Sequence, residues 1–155
     1  MVPIKEAINS GAWLTCEYNE NRDEICRFRL KVLSFKKLNL LEVDNPERIE
    51  LIDGNANMWL MEIEVINLMK EPIMSYNGPG SYLILIDQDG YKFHIFSDAH
   101  LRHSSGFAKK SGMYRFYQQT LIPKTKAIGA IPFQLPEDDE AVYSISMKEG
   151  NIREA

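Results

Sequence analysis

The feature that most constrains this chain is a strict alternation of Cys26, Phe28, Leu30 and Val32 with Arg27, Arg29 and Lys31. Successive side chains of a strand point to opposite faces, so the stretch predicts a strand with one buried and one wet face. The same period of two recurs along the chain. Leu14, Cys16 and Tyr18 alternate with Thr15 and Glu17, Ile49 and Leu51 flank Glu50, and Trp59, Met61, Ile63 and Val65 are set against Glu62 and Glu64. Tyr82 to Ile86 is apolar on both faces and reads as a central strand. Asp89-Gly90 then predicts a hairpin into Tyr91 to Phe96, with Tyr91, Phe93 and Ile95 on one face. Tyr117, Gln119 and Leu121 share a side, Ile131, Phe133 and Leu135 alternate with Pro132 and Gln134, and Tyr143, Ile145 and Met147 form the expected last strand. Pro132 has no N–H to donate, which places its strand at an edge or turns that position to solvent.

About eight or nine short strands with turns between them, and no alternation of strand with long helix, predict an all-β antiparallel two-sheet sandwich. Its expected core comprises Phe28, Leu30, Val32, Trp59, Met61, Ile63, Val65, Ile84, Ile86, Phe93, Ile95, Ile131, Phe133 and Tyr143. Helical spacing is confined to Ile4, Ala7 and Ile8, behind Pro3 and ahead of Gly11, enough for one short helix.

A length of 155 residues suits a single domain. Lys plus Arg number 18 against 22 Asp plus Glu, a formal charge of -4, so the basic excess that a phosphate backbone demands is missing and nucleic acid is not an expected partner. The run from Met58 is broken by Glu62 and Glu64, too short for a membrane span, and a soluble domain is expected. The start, MVPIKEAINSG, lacks the pattern of a secretory leader. Such a chain reads as cytoplasmic, or as exported if a leader has been removed. Two cysteines, Cys16 and Cys26, flank a turn; they are too few for a disulfide framework or an all-cysteine zinc site, and paired reduced thiols are the plainer reading beside a cross-strand disulfide.

Three stretches carry a family likeness: EIEVINLMKEPI from Glu62 to Ile73, YLILIDQDGYKF from Tyr82 to Phe93, and LIPKTKAIGAIPFQLPED from Leu121 to Asp138. In order and spacing, residues 28–155 resemble a prokaryotic family of immunoglobulin-like domains of unknown function, often the exported part of small lipoproteins. The resemblance implies an immunoglobulin-like sandwich over 28–155, with 1–27 as an extension packed on it, and a binding or interaction role. It implies no catalytic residues.

The chemistry-bearing residues are few. His94, His100 and His103 lie within ten residues of one another, with Asp98 and Arg102 nearby. Two imidazoles and a carboxylate suit zinc, and a small metal-dependent hydrolase built on His100 and His103 is the alternative function; solvated loop histidines are the plainer reading. Glu62 with Glu64, and the run Glu137 to Glu140, read as solvated faces or turns before they read as acid–base pairs. Asp87-x-Asp89-Gly90 only hints at a calcium loop and is better explained by the hairpin. Ser104 and Ser105 beside His103, and the Gly78-Pro79-Gly80 bend, match no nucleophile or phosphate motif. No cofactor or metal is expected, and the leading expectation is a non-catalytic module binding a protein or small ligand.

Two long connections interrupt the strand period, Lys70 to Ser81 and Asp98 to Gly112, one on each side of the Tyr82 to Phe96 hairpin. A hairpin returns the chain to the end it started from, so both connections belong to one end of the sandwich. The candidate binding surface there is Tyr76, Asn77, Asp98, His100, Arg102, His103 and Phe107.

Overall fold

A computed structural model describes residues 1–21, 24–37, 56–74, 82–95 and 120–154. Its strands are β1 (Val2–Pro3), β2 (Leu14–Asn21), β3 (Glu24–Lys37), β4 (Ala56–Asn67), β5 (Leu83–Ile86), β6 (Lys92–Phe93), β7 (Lys126–Pro136), β8 (Ser144–Met147) and β9 (Asn151–Glu154), with helix α1 (Ile4–Ser10) between β1 and β2. They form a four-stranded sheet ordered β1-β8-β5-β6 and a five-stranded sheet ordered β7-β4-β3-β2-β9. Every pairing between these strands is antiparallel. The β-sandwich that the alternation predicts is the fold.

Helix α1 starts after Pro3 and stops at Gly11, whose left-handed backbone (φ 61°) lets its N–H reach back to the carbonyls of Ala7 and Ile8. Ile4 and Ala7 are its buried side. The first 27 residues therefore supply β1, at the edge of one sheet, and β2, inside the other.

β3 is the longest strand and pairs β2 on one side and β4 on the other. Its register slips by one residue between Val32 and Ser34. This bulge reverses the phase of the alternation, so Ser34 stands opposite Glu62 while Phe35 stands opposite Met61 and turns inward. There Phe35 stacks on Trp59, ring centroids 5.0 Å apart, and Tyr143 packs edge-on against both Phe35 and Phe93. At the other end Tyr18 of β2 stacks on Tyr82, at 3.8 Å, beside Phe28. Aromatic contacts thus tie the two sheets together at both ends.

Phe28, Leu30, Val32, Met61, Ile63, Val65, Ile131 and Phe133 are buried as the alternation requires. Trp59, Phe93, Ile95 and Tyr143 are only partly buried around that cluster, and Ile86 is partly buried as well. In β5 the central cluster takes Leu83 and Leu85, while Ile84 is buried outside it. A strand apolar on both faces offers no alternation to say which face is inner.

Two further expectations are corrected. The strand after Asp89-Gly90 is shorter than Tyr91 to Phe96, because Tyr91 is exposed and only Lys92 and Phe93 pair with β5. Ile95 instead forms an isolated bridge to Phe133 at the free edge of β7, where the chain passes from one sheet to the other. The strand through Ile145 is not the last, since β9 follows and pairs with β2. β7 is an edge strand, which accommodates Pro132, although that side chain is buried. The strand expected at Ile49 and Leu51, and the positions from Tyr114 to Gln119, lie outside the described residues.

Candidate functional site

The pattern that buries Phe28 and Leu30 sends Arg27, Arg29 and Lys31 to the outer face of the five-stranded sheet. Register then supplies their neighbours: Glu17 lies opposite Arg27, Thr15 opposite both Arg29 and Arg153, and Glu64 opposite Lys31. Glu17 Oε1 accepts hydrogen bonds from Arg153 Nη2 at 2.8 Å and from Arg27 Nε at 3.1 Å. The hydrogen bond from Arg153 is the main reason the Glu17 carboxyl sits below its usual range; burial opposes it, and the charges of Arg153 and Arg27 add to it. Arg153 is steadied by a second bond, Nη1 to Asn151 Oδ1.

Trp13, just before β2, has two lysines near its ring, Lys31 Nζ 5.0 Å and Lys126 Nζ 5.7 Å from the centroid. Lys126 Nζ also lies 3.7 Å from Glu64 Oε1. Arg29 is exposed and has no ion-pair partner among the described residues. The cations Arg27, Arg29, Lys31, Lys126 and Arg153 thus face the carboxylates Glu17 and Glu64. Farther along the face, Lys36 opposite Leu60 and Glu62 opposite Ser34 add one charge of each sign. Ile25 and Ile128, 50% and 52% exposed, place apolar side chains among these charges.

Beside this face the turn at residues 148–150 closes against β2. The groove there, about 410 Å³, is lined by Glu17, Tyr18, Asn19, Ile25, Glu149, Gly150 and Asn151. Gly150 has φ 104°, and a Cβ at this position would collide with the Glu17 carbonyl and approach Tyr18 Cα to 2.7 Å.

The sequence candidates fare unevenly. Tyr76, Asn77, Asp98, His100, Arg102, His103 and Phe107 all lie outside the described residues, as do Gly78-Pro79-Gly80, Ser104 and Ser105. His94 is exposed after β6. Asp87 closes the hairpin, its Oδ1 accepting from the N–H groups of Asp89 and Tyr91 at 2.9 Å each, while Gly90 adopts φ 87°. Asp138 Oδ1 caps its own turn by accepting from Glu140 N–H. Cys16 and Cys26 are buried thiols. Burial pushes the Cys16 thiol far above its usual range, which removes it as a nucleophile at neutral pH. Among the described residues no three His, Cys, Asp or Glu side chains gather as metal ligands would, and no helix is long and apolar enough to cross a membrane.

The cationic face itself was missed by sequence reasoning. Its signal was the outward triplet Arg27, Arg29 and Lys31, but Trp13, Lys126 and Arg153 reach it only through the pairing of distant strands.

No family model matches the chain, and no curated protein does. Solved structures do resemble it. A conserved hypothetical protein of Bacillus anthracis aligns with a TM-score of 0.52 at 13% identity, over 90% of this chain and 97% of that one. A secreted protein of Mycobacterium tuberculosis, MPT63, gives 0.47 at 15% identity over 84% of each chain. A Bacillus subtilis protein described as a lipoprotein gives 0.43 at 12% identity, over 79% of this chain and 36% of that one. At such identities the first likeness shows a shared fold, and this chain is similar in architecture to that Bacillus anthracis protein.

Proposed function

We propose that this chain is a non-catalytic binding or interaction module whose contact surface is the outer face of the five-stranded sheet. One observation carries the reading: an indole within cation–π distance of two lysines, on a sheet face that also carries three arginines and two exposed isoleucines. Trp and Arg are the residue types that concentrate binding energy at interfaces. Glu17 is bonded to two arginines and Cys16 is held as a neutral thiol.

The resemblance to immunoglobulin-like domains belongs to the same proposal, and the two-sheet architecture supports it. A second surface is proposed at the end of the antiparallel β5–β6 pair where β5 begins and β6 ends. Its proposed residues are Tyr76, Asn77, Asp98, His100, Arg102, His103 and Phe107, all outside the described residues.

Capture with the intact chain from its source cell, followed by titration of the recovered partner, is the test. Trp13→Ala with Arg29→Ala is expected to weaken binding about tenfold or more, and Tyr76→Ala with Arg102→Ala reports on the end segments separately. Undiminished binding by both variants, or turnover of a substrate by the purified chain, contradicts the reading.

A further inference from the structure

We infer that the partner of the outer face is an acidic polypeptide segment that carries apolar side chains between its carboxylates. The inference rests on the reading of that face as a contact surface and assigns it an occupant. Arg27, Arg29, Lys31, Lys126 and Arg153 outnumber Glu17 and Glu64 on the face, in a chain whose formal charge is -4. Positive charge is therefore concentrated here against the balance of the molecule, and complementarity calls for an anion.

Which anion follows from the pattern. Glu17 stands between Arg27 and Arg153, and Glu64 beside Lys126, so positive and negative groups alternate across the strands. A uniformly negative surface, such as a phospholipid leaflet or a nucleic-acid backbone, would be repelled wherever it met those carboxylates. A polypeptide places its acids opposite the cations and its N–H groups opposite the carboxylates. Ile25 and Ile128, half exposed within the same face, give apolar side chains a seat that a phosphate polymer cannot use. The planar guanidinium of Arg29, exposed and without an ion-pair partner among the described residues, suits bidentate capture of a carboxylate.

The experiment uses Trp13 as its reporter. The chain has two tryptophans, so Trp59→Phe leaves Trp13 as the sole indole. A glutamate–tyrosine copolymer is expected to change its emission saturably, more tightly than polyglutamate, and to bind less tightly as salt is raised. Arg29→Glu with Lys31→Glu should weaken that binding about tenfold or more, with an unchanged circular dichroism spectrum. Arg29→Gln with Lys31→Gln, the milder pair, should fall between. Copolymer affinity unchanged in the variants overturns the inference. So does equally tight binding of phosphatidylserine vesicles or of a single-stranded oligonucleotide; if the charge reversals abolish that binding, the outer face remains the contact surface and only the acidic polypeptide is lost. Failure of the copolymer to bind, while a captured partner still requires Trp13 and Arg29, likewise overturns the acidic class alone.

Discussion

Asn67, at the end of β4, is buried and answers every hydrogen-bonding demand placed on it. Its Nδ2 donates to the carbonyls of Glu71 and Leu121, both at 2.9 Å, and its Oδ1 accepts from Met69 N–H at 2.7 Å. Removing the side chain takes a partner from the part-buried Met69 N–H and Glu71 carbonyl, while the Leu121 carbonyl keeps its bond from Ile73 N–H, so Asn67→Ala is expected to cost about 1–2 kcal/mol. The urea midpoint should fall with an unchanged slope, and an unshifted midpoint would contradict this role. Glu17 gives a pH signature. Its carboxyl is lowered first by the hydrogen bond from Arg153, so its stabilisation is present above the pKa of an unfolded glutamate and is lost as pH falls through the folded value. The melting temperature of the native chain should therefore drop more steeply than that of Glu17→Gln as pH is lowered from about 5 to 2. Parallel curves would show that the ion pair contributes nothing.

Elements were legible in proportion to the contrast between their two faces. β3 and β4 pair buried aliphatics with charged residues, and both lie where the alternation puts them. β5 has no polar face, which is why Ile84 and Ile86 were expected in place of Leu83 and Leu85. β9 contributes a single buried residue, Ile152, too little to stand out from a polar tail. The bulge after Val32 is invisible in composition, yet it decides that Phe35 faces Trp59. The site was less legible than the fold: Arg27, Arg29 and Lys31 read as a wet face, but only strand order reveals what stands beside them. Glycine pressure at the β8–β9 turn is likewise tertiary. Gly150→Ala combines a left-handed backbone with a collision against β2, whereas at Gly11, also left-handed, an added Cβ would meet nothing within 4 Å. Gly150→Ala should therefore destabilise by well over the roughly 1 kcal/mol of the backbone effect alone, and Gly11→Ala by about that amount. Equal losses by chemical denaturation would argue against the close approach of the turn to β2.

Across the molecule, a formal charge of -4 conceals a segregation of charge. The exposed run Glu137 to Glu140 follows the Pro136 end of β7, while Lys126 at its opposite end joins the cationic face. Overall composition argued against nucleic acid as partner; strand pairing builds a local cationic surface that net charge does not register. The claim at the centre of this account is that binding occurs on the outward residues of the five-stranded sheet. Mapping backbone amide shifts by nuclear magnetic resonance during titration with the glutamate–tyrosine copolymer tests it most directly. The predicted result is a set of shifts in period two, strong at Thr15, Arg27, Arg29, Lys31 and Ile128 and weak at Cys16, Phe28, Leu30 and Ile131. Shifts centred on the inward residues, or confined to segments away from this sheet, would contradict it.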